Sequence, residues 1–215
     1  VQIKRVRLLK KPCARSESPW AWLTTKAILT AMHDAIANAS PWVKRFATAI
    51  PTDGVVLDLA CGSGRHTALL ASLGHRILAV DQDISVIEPL KSDAVQIQKL
   101  DLEGSDWPLV GQQFSGIVVT NYLYRPFLEE LPKMLSEYGV LIYETFADGN
   151  AAFGKPSNPN FLLNAGELLA LAQRSGLKVI AYEDIYLDQP KPAMVQRVCA
   201  VKGHLKGCIP LQFAG

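Results

Sequence analysis

The stretch Val55-Val56-Leu57-Asp58-Leu59-Ala60-Cys61-Gly62-Ser63-Gly64-Arg65-His66 decides how the rest of the chain is read. Its first half is an aliphatic, β-branched run, the pattern of a strand buried on both faces, and it predicts a strand over residues 54–60. That strand runs straight into two glycines one residue apart. Glycine accepts backbone shapes closed to other residues, so a tight turn can form there and a ligand can approach bare backbone. A helical pattern over 64–73 follows, and a helix N-terminus presents unpaired amides beside such a ligand. A GxG turn alone also serves as a plain structural turn.

Outward from this stretch, short β-rich runs alternate with helical patterns. Strands are predicted over 76–81, 95–101, 115–121, 139–145, 178–187 and 194–202, and helices near 84–92, 126–136 and 165–175. Asn164 with Glu167 has capping-box spacing, and Gly176 can supply the turn that ends the last helix. Strands alternating with helices imply an α/β fold: a doubly wound, seven-stranded, mostly parallel sheet. Only the six residues Asp188 to Ala193 separate the last two strands, too few for a parallel crossover, so the last strand is expected to reverse. Upstream, Ser18-Pro19 and Ser40-Pro41 each read as a helix N-cap followed by proline at the first helical position. Val43, Phe46, Ala47 and Ile50 form one apolar stripe, and Leu23, Ala27, Ile28, Ala31, Ala35 and Ile36 form another. Both fit helices packed on the core, and such leading segments also cover active sites.

Three acids sharpen the glycine turn. Asp58 lies near the end of the first strand, where a carboxylate would repel a pyrophosphate but suits a cationic ligand. Asp81 closes the second strand, 17 residues after Gly64, where an acid can accept bonds from ribose hydroxyls. Asp101 closes the third, placed to receive an exocyclic amine. Each alone could be a solvated strand end, but together they ring the carboxyl edge where open α/β sheets bind ligands. A dinucleotide fingerprint needs a third glycine at the position held by Thr67, which argues against NAD.

VLDLACGSG, AVDQD and LDLEG resemble the signature of class I S-adenosylmethionine-dependent methyltransferases, over roughly residues 40 to 202. Within them the chain looks most like the small bacterial tellurite-resistance (TehB-like) enzymes. The resemblance implies S-adenosylmethionine as cofactor, with Gly62 and Gly64 against its methionine part and Asp58 near its amino group. It also implies Asp81 at the ribose, Asp101 and Leu102 at the adenine, and further cofactor contacts from Ala60, Gln82 and Asn121. A Rossmann-like fold with a reversed last strand belongs to the same pattern.

For the methyl acceptor, residues past the fourth strand matter most. Base-directed amino-methyltransferases carry an Asn or Asp followed by two prolines and an aromatic there; Asn121-Tyr122-Leu123-Tyr124 lacks the prolines. Asn158-Pro159-Asn160-Phe161 is a partial look-alike in the wrong place, and no Pro-Cys nucleophile exists. A small-molecule acceptor, attacked at oxygen, sulfur, nitrogen or a heavier chalcogen, is therefore expected. Candidate catalytic residues are Tyr122, Arg125 and Glu144: Arg125 as an anion clamp, Tyr122, Tyr124, Tyr143 or Glu144 handling the acceptor proton. Tyr143 as a core aromatic and Arg125 as a surface charge are the plain alternatives. Residues 146–164, with Gly149, Gly154, Pro156, Pro159, Phe153 and Phe161, read as a lid. Glu137-Tyr138-Gly139 stands where relatives often have Pro-Gly-Gly. A non-catalytic cofactor-binding module and an RNA methyltransferase are the rival functions.

Composition sets the frame. The 215 residues are 49% hydrophobic and 20% charged, as in an ordinary globular protein. One domain is expected at 18–215, with N-terminal helices over 18–50, an α/β core over 54–202, and a disordered basic tail at 1–17. Lys4, Arg5, Arg7, Lys10, Lys11 and Arg15 leave 16 bases against 20 acids elsewhere, about −4. An acidic body is a poor nucleic-acid platform, so nucleic acid is an unexpected partner. No run reaches membrane-span length, and four scattered cysteines suit a reduced cytoplasmic setting without a zinc site.

Overall fold

The computed structural model describes residues 30, 34, 36–205 and 207. The expected tail, the helix predicted from Ser18-Pro19 and the stripe from Leu23 to Ala35 fall outside these residues.

Seven strands form one sheet: β1 (Val55–Leu59), β2 (Arg76–Asp81), β3 (Val95–Lys99), β4 (Phe114–Thr120), β5 (Leu135–Phe146), β6 (Leu177–Leu187) and β7 (Ala193–Lys202). Their spatial order is β3-β2-β1-β4-β5-β7-β6. The pairs β1–β2, β1–β4, β2–β3 and β4–β5 run parallel, while β7 runs antiparallel to both β5 and β6. The reversal follows from the short β6–β7 connection, which leaves only a hairpin. The strand order turns outward from β1 and β4, so a crevice opens at their carboxyl ends.

Each face of the sheet carries its own apolar layer. Leu57, Leu59, Ile117, Val119, Leu141 and Tyr143 point to one side; Val56, Val118, Val140 and Ile142 point to the other. The second face is covered by α1 (Pro41–Phe46) and α2 (Arg65–Ser72). Ser40 caps α1 as expected, its hydroxyl accepting from the Trp42 and Val43 amides, with Pro41 at the first helical position. Six residues make too short a helix to stand alone. Its stability comes from Trp42, Val43 and Phe46, all at most 1% exposed, each side chain adding roughly 1.5–3 kcal/mol on burial. Arg197 stacks 4.7 Å over the Trp42 ring and ties the helix to β7.

Two predicted helices differ from the structure. Residues 84–92 form only a 3-10 turn, Glu88–Leu90, because Pro89 interrupts a segment too short to gain from helical bonding. The helix predicted at 126–136 shrinks to a 3-10 turn, Arg125–Phe127, and α3 (Glu130–Lys133), because β5 starts four residues early at Leu135. Leu135 pairs with Phe114 before the register shifts at Gly116, and Tyr138 takes a left-handed φ of +64°. The last helix, α4 (Glu167–Arg174), forms as expected, with Gly176 at φ +66° ending it. Its capping box is half realised: the Glu167 carboxylate accepts from the Asn164 amide at 2.8 Å, but the helix starts after Gly166.

Candidate active site

The glycine turn sits where β1 and β2 end. Ala60 takes a left-handed φ of +53°, uncommon for a residue with a Cβ, and Gly62 and Gly64 follow at +52° and +76°. The Cys61 amide donates to the Val80 carbonyl at 3.0 Å, and the Gly64 amide to the Cys61 carbonyl at 2.9 Å. The two glycines serve different ends. A Cβ on Gly62 would meet nothing within 4 Å, so that backbone faces open space; a Cβ on Gly64 would stand 2.7 Å from Ile87. Gly64 is therefore required by packing of the following segment, and Gly62 is the one whose backbone lies open. Burial pushes the Cys61 thiol up, with the charges of Asp58 and Asp81 adding.

Asp58 is 2% exposed. Burial pushes its carboxyl up to about 6, against the opposing bonds from the Thr67 hydroxyl and amide and the charge of Arg65. Thr67, in the sequence only a missing glycine, is thus Asp58's partner. Asp81 braces the turn: one oxygen accepts the Gly62 amide at 2.8 Å and the other the Asp83 amide at 3.0 Å. Gln82 is exposed beside it. Strand β3 ends at Lys99, so Asp101 lies two residues beyond the strand it was expected to close. It is exposed and accepts from the Glu103 amide at 2.9 Å. Leu102 is 5% exposed, its side chain in the core. Asn121, exposed at φ +55°, turns the chain after β4.

The expected catalytic side chains are committed elsewhere. Arg125 is not a free anion clamp: it grips Glu167 with two bonds of 2.8 Å and donates to the Asn160 and Leu162 carbonyls at 2.9 and 2.6 Å. Burial alone would raise the Glu167 carboxyl, but the bonds from Arg125 and Asn164 hold it below the usual range. Glu144 accepts from the Ser40 hydroxyl at 2.8 Å and from Arg197 at 3.1 Å, and Arg197 is shared with Glu183 at 2.7 Å. The Tyr122 hydroxyl donates to the Leu102 carbonyl at 3.2 Å. Burial first, then the charges around it, push this phenol up, far from the range of a working base. Tyr143 is 1% exposed, a core aromatic whose hydroxyl donates to the Tyr122 carbonyl.

Sequence reasoning missed a buried polar chain at this edge. His66, 1% exposed, accepts the Ser40 amide on Nε2 at 3.1 Å and meets the Thr120 hydroxyl through Nδ1 at 3.2 Å. Burial pulls its pKa down to about 3, so the ring is neutral. The chain Thr120–His66–Ser40–Glu144–Arg197–Glu183 joins six elements, α1, α2, β4, β5, β6 and β7. Only His66's place on the first turn after the glycines could have flagged it, because its partners are 26 and 54 residues away.

The expected lid is stitched down. Ala147 bridges Leu163, the Asp148 amide donates to the Leu163 carbonyl at 2.8 Å, and buried Asn150 bonds the Pro156 carbonyl and the Met194 amide. Phe153 packs on Tyr186 with ring centroids 5.0 Å apart. With Arg125 holding its far end, the segment is a fixed flap in this structure. Among the described residues, no helix is long and apolar enough to cross a membrane.

The crevice edge thus holds a buried carboxyl bonded to Thr67, an open glycine backbone and an exposed acid past the end of β3. A family model described as a methyltransferase domain matches residues 56–140. No curated protein matches the chain. Among solved structures, an S-adenosylmethionine-dependent methyltransferase from Mesorhizobium loti superposes with TM-score 0.59 at 16% identity, covering 77% of this chain and 99% of that one. A TehB-like methyltransferase from Corynebacterium glutamicum gives 0.55 at 19%, covering 85% and 99%. The 1,6-didemethyltoxoflavin-N1-methyltransferase from Burkholderia thailandensis, solved with S-adenosylhomocysteine bound, gives 0.55 at 17%, covering 90% and 93%. The seven-stranded sheet with its reversed β7 is thus the fold of S-adenosylmethionine-dependent methyltransferases, and residues 56–140, which carry the glycine turn and the strand-end acids, match a methyltransferase domain.

Proposed function

We propose that the chain methylates a small-molecule acceptor that arrives as a ready nucleophile, a thiolate, a hydrochalcogenide or a deprotonated oxygen or nitrogen. The observation that carries this is the commitment of Tyr122, Arg125, Glu144 and His66 to one another's elements. None of them is poised to take a proton from an acceptor. Bound S-adenosylmethionine supplies a methyl group already activated by its sulfonium. What remains for the protein is to hold both partners in line and keep water out, which can supply several kcal/mol of barrier reduction.

In this reading Asp58 holds the ammonium end, the Gly62 backbone lies along the methionine part, Asp81 takes the ribose, and Asp101 with the Leu102 backbone meets the adenine. Ala60, Gln82 and Asn121 line the same crevice. Thr120 and Asn121 mark the acceptor edge beside the glycine turn. The small acceptor of the Burkholderia thailandensis enzyme supports a small-molecule class here. An acidic body supports it too, against RNA.

Methyl transfer from labelled S-adenosylmethionine, screened across small thiols, chalcogenides, amines and phenols, tests the proposal. The expected rate follows the acceptor's own ionisation. A pH-rate break that stays fixed across acceptors and moves when a protein side chain is replaced would reveal an enzymic base and overturn the ready-nucleophile reading. Cofactor binding without turnover on any acceptor would favour the non-catalytic module.

A further inference from the structure

Strand β4 ends at Thr120, and the left-handed turn at Asn121 sends Tyr122 and Tyr124 back along the crevice toward the loop after β3. The Tyr122 hydroxyl donates to the Leu102 carbonyl at 3.2 Å, and the Tyr124 hydroxyl to the Glu103 carbonyl at 3.1 Å. Two alternating tyrosines thus hold two successive carbonyls of one irregular loop. Behind them, buried Tyr143 donates to the Tyr122 carbonyl at 2.8 Å. Phe127 braces Tyr124 with ring centroids 5.4 Å apart, and Trp107 lies 5.2 Å from Phe127. Three phenols in series therefore fasten the loop carrying Asp101 to the interior of β5. The loop's own bond at this point is the Asp101 side chain accepting the Glu103 amide, which fixes its curl but not its place. Burial first, then the charges of Glu103, Asp101 and Asp81, push the Tyr122 phenol up.

We propose that Tyr122 and Tyr124 are positioning residues that set base selectivity: by holding the Leu102 and Glu103 carbonyls they fix Asp101 where it accepts from an exocyclic amine and rejects a carbonyl oxygen. This rests on the reading that Asp101 meets the adenine. A carboxylate discriminates a donor from an acceptor only while it cannot move aside. An amino group gains a charge-assisted bond, and an oxo group in its place faces like partial charge. If the loop loosens, the carboxylate swings away from the oxo group, and selectivity falls further than affinity.

The test compares binding of S-adenosylhomocysteine with that of its inosine analogue, S-inosylhomocysteine, by calorimetry. Wild type, Tyr122→Phe, Tyr124→Phe, the double Phe variant and Asp101→Asn are measured, each with a thermal-unfolding scan. The expected result is a preference for the adenine ligand that Asp101→Asn abolishes. The double Phe variant should reduce that preference about tenfold, and each single variant about threefold, as lost bonds of this size do. Hydrogen exchange of residues 100–105 should quicken in both single variants. Loss of selectivity in Asp101→Asn but not in the tyrosine variants would overturn the positioning role and leave the base site standing. Unchanged selectivity in Asp101→Asn would overturn the reading of the base site and the proposal with it. Should the double variant fail to fold, the singles decide on the same criteria.

Discussion

At the scale of single residues, Asp58 is the most consequential group, because it is a buried acid whose hydrogen-bond partner, Thr67, is neutral. Its carboxyl is raised from 3.8 to about 6, so the folded chain holds that proton more tightly than the unfolded one. The stability it contributes is fully present below about pH 3.8 and is lost as pH rises through about 6. A shift of this size corresponds to about 3 kcal/mol. Asp58→Asn should therefore flatten the fall in unfolding free energy between pH 4 and 7, measured by denaturant titration at several pH values. Ligand binding should carry the opposite sign. An ammonium beside Asp58 favours the ionised carboxyl, so S-adenosylhomocysteine should bind more tightly as pH rises through about 6. Calorimetry showing no pH dependence between 5 and 7 would remove Asp58 from the ligand's cationic end. Asp81 does two things at once, accepting the Gly62 amide while facing the crevice. Asp81→Ala should weaken S-adenosylhomocysteine binding by roughly 1.5–3 kcal/mol, the scale of a charge-assisted bond. Asp81→Asn, which can still accept the Gly62 amide, should lose less, and equal affinities for all three proteins would place the ribose elsewhere.

Between elements, two polar chains weld the crevice rim from opposite faces of the sheet. One runs from Thr120 through His66 and Ser40 to Glu144 and Arg197, joining α1 and α2 to β4, β5 and β7. The other runs from Arg125 through Glu167 and Asn164 to Gln196, joining the flap and α4 to β7. Arg125 is one-third exposed at its side chain, so its ion pair with Glu167 counts for less than a buried one. Its two bonds to flap carbonyls carry the mechanical load. Arg125→Met should cost about 1–2 kcal/mol of stability, from the lost bonds to those carbonyls. The sharper sign is local: amides of residues 159–164 should exchange much faster in the variant while β1 and β4 keep their protection. Unchanged exchange there would mean that Asn150, the Ala147–Leu163 bridge and the Asp148 amide hold the flap without Arg125.

Over the whole molecule, the crevice lies at the carboxyl edge of β1, β2 and β4, so a ligand there touches several strands and stabilises the folded state by mass action. At a hundredfold excess over Kd, S-adenosylhomocysteine should add about 2.7 kcal/mol, raising Tm by roughly 5–10 °C for a chain of this size. NAD at the same concentration should leave Tm unchanged, since Asp58 and Thr67 occupy the place where phosphates would need amides and a glycine. A scan with the result reversed would contradict the cofactor assignment. Much of this architecture was legible in order along the chain. The aliphatic run into Gly62 and Gly64, the alternation of strands with helices, and the short link between β6 and β7 gave the parallel sheet with its reversed last strand, because each acts through neighbours a few residues away. Residues 84–92 and 126–136 misled for the complementary reason: their helical periodicity was overridden by Pro89 and by the pairing of Leu135 with Phe114. Past β4 the sequence supplied the residue types but not their bonds. Tyr122, Arg125 and Glu144 were visible as chemistry, but whether a side chain is free depends on partners such as Leu102, Glu167 and Arg197, 20 to 53 positions distant. By itself the sequence determined the fold class and the place of the glycine turn at the end of the first strand, since those are written in local pattern and spacing. Only the tertiary structure decided which polar groups spend their bonds on each other, because hydrogen bonds between remote elements form after the chain has closed.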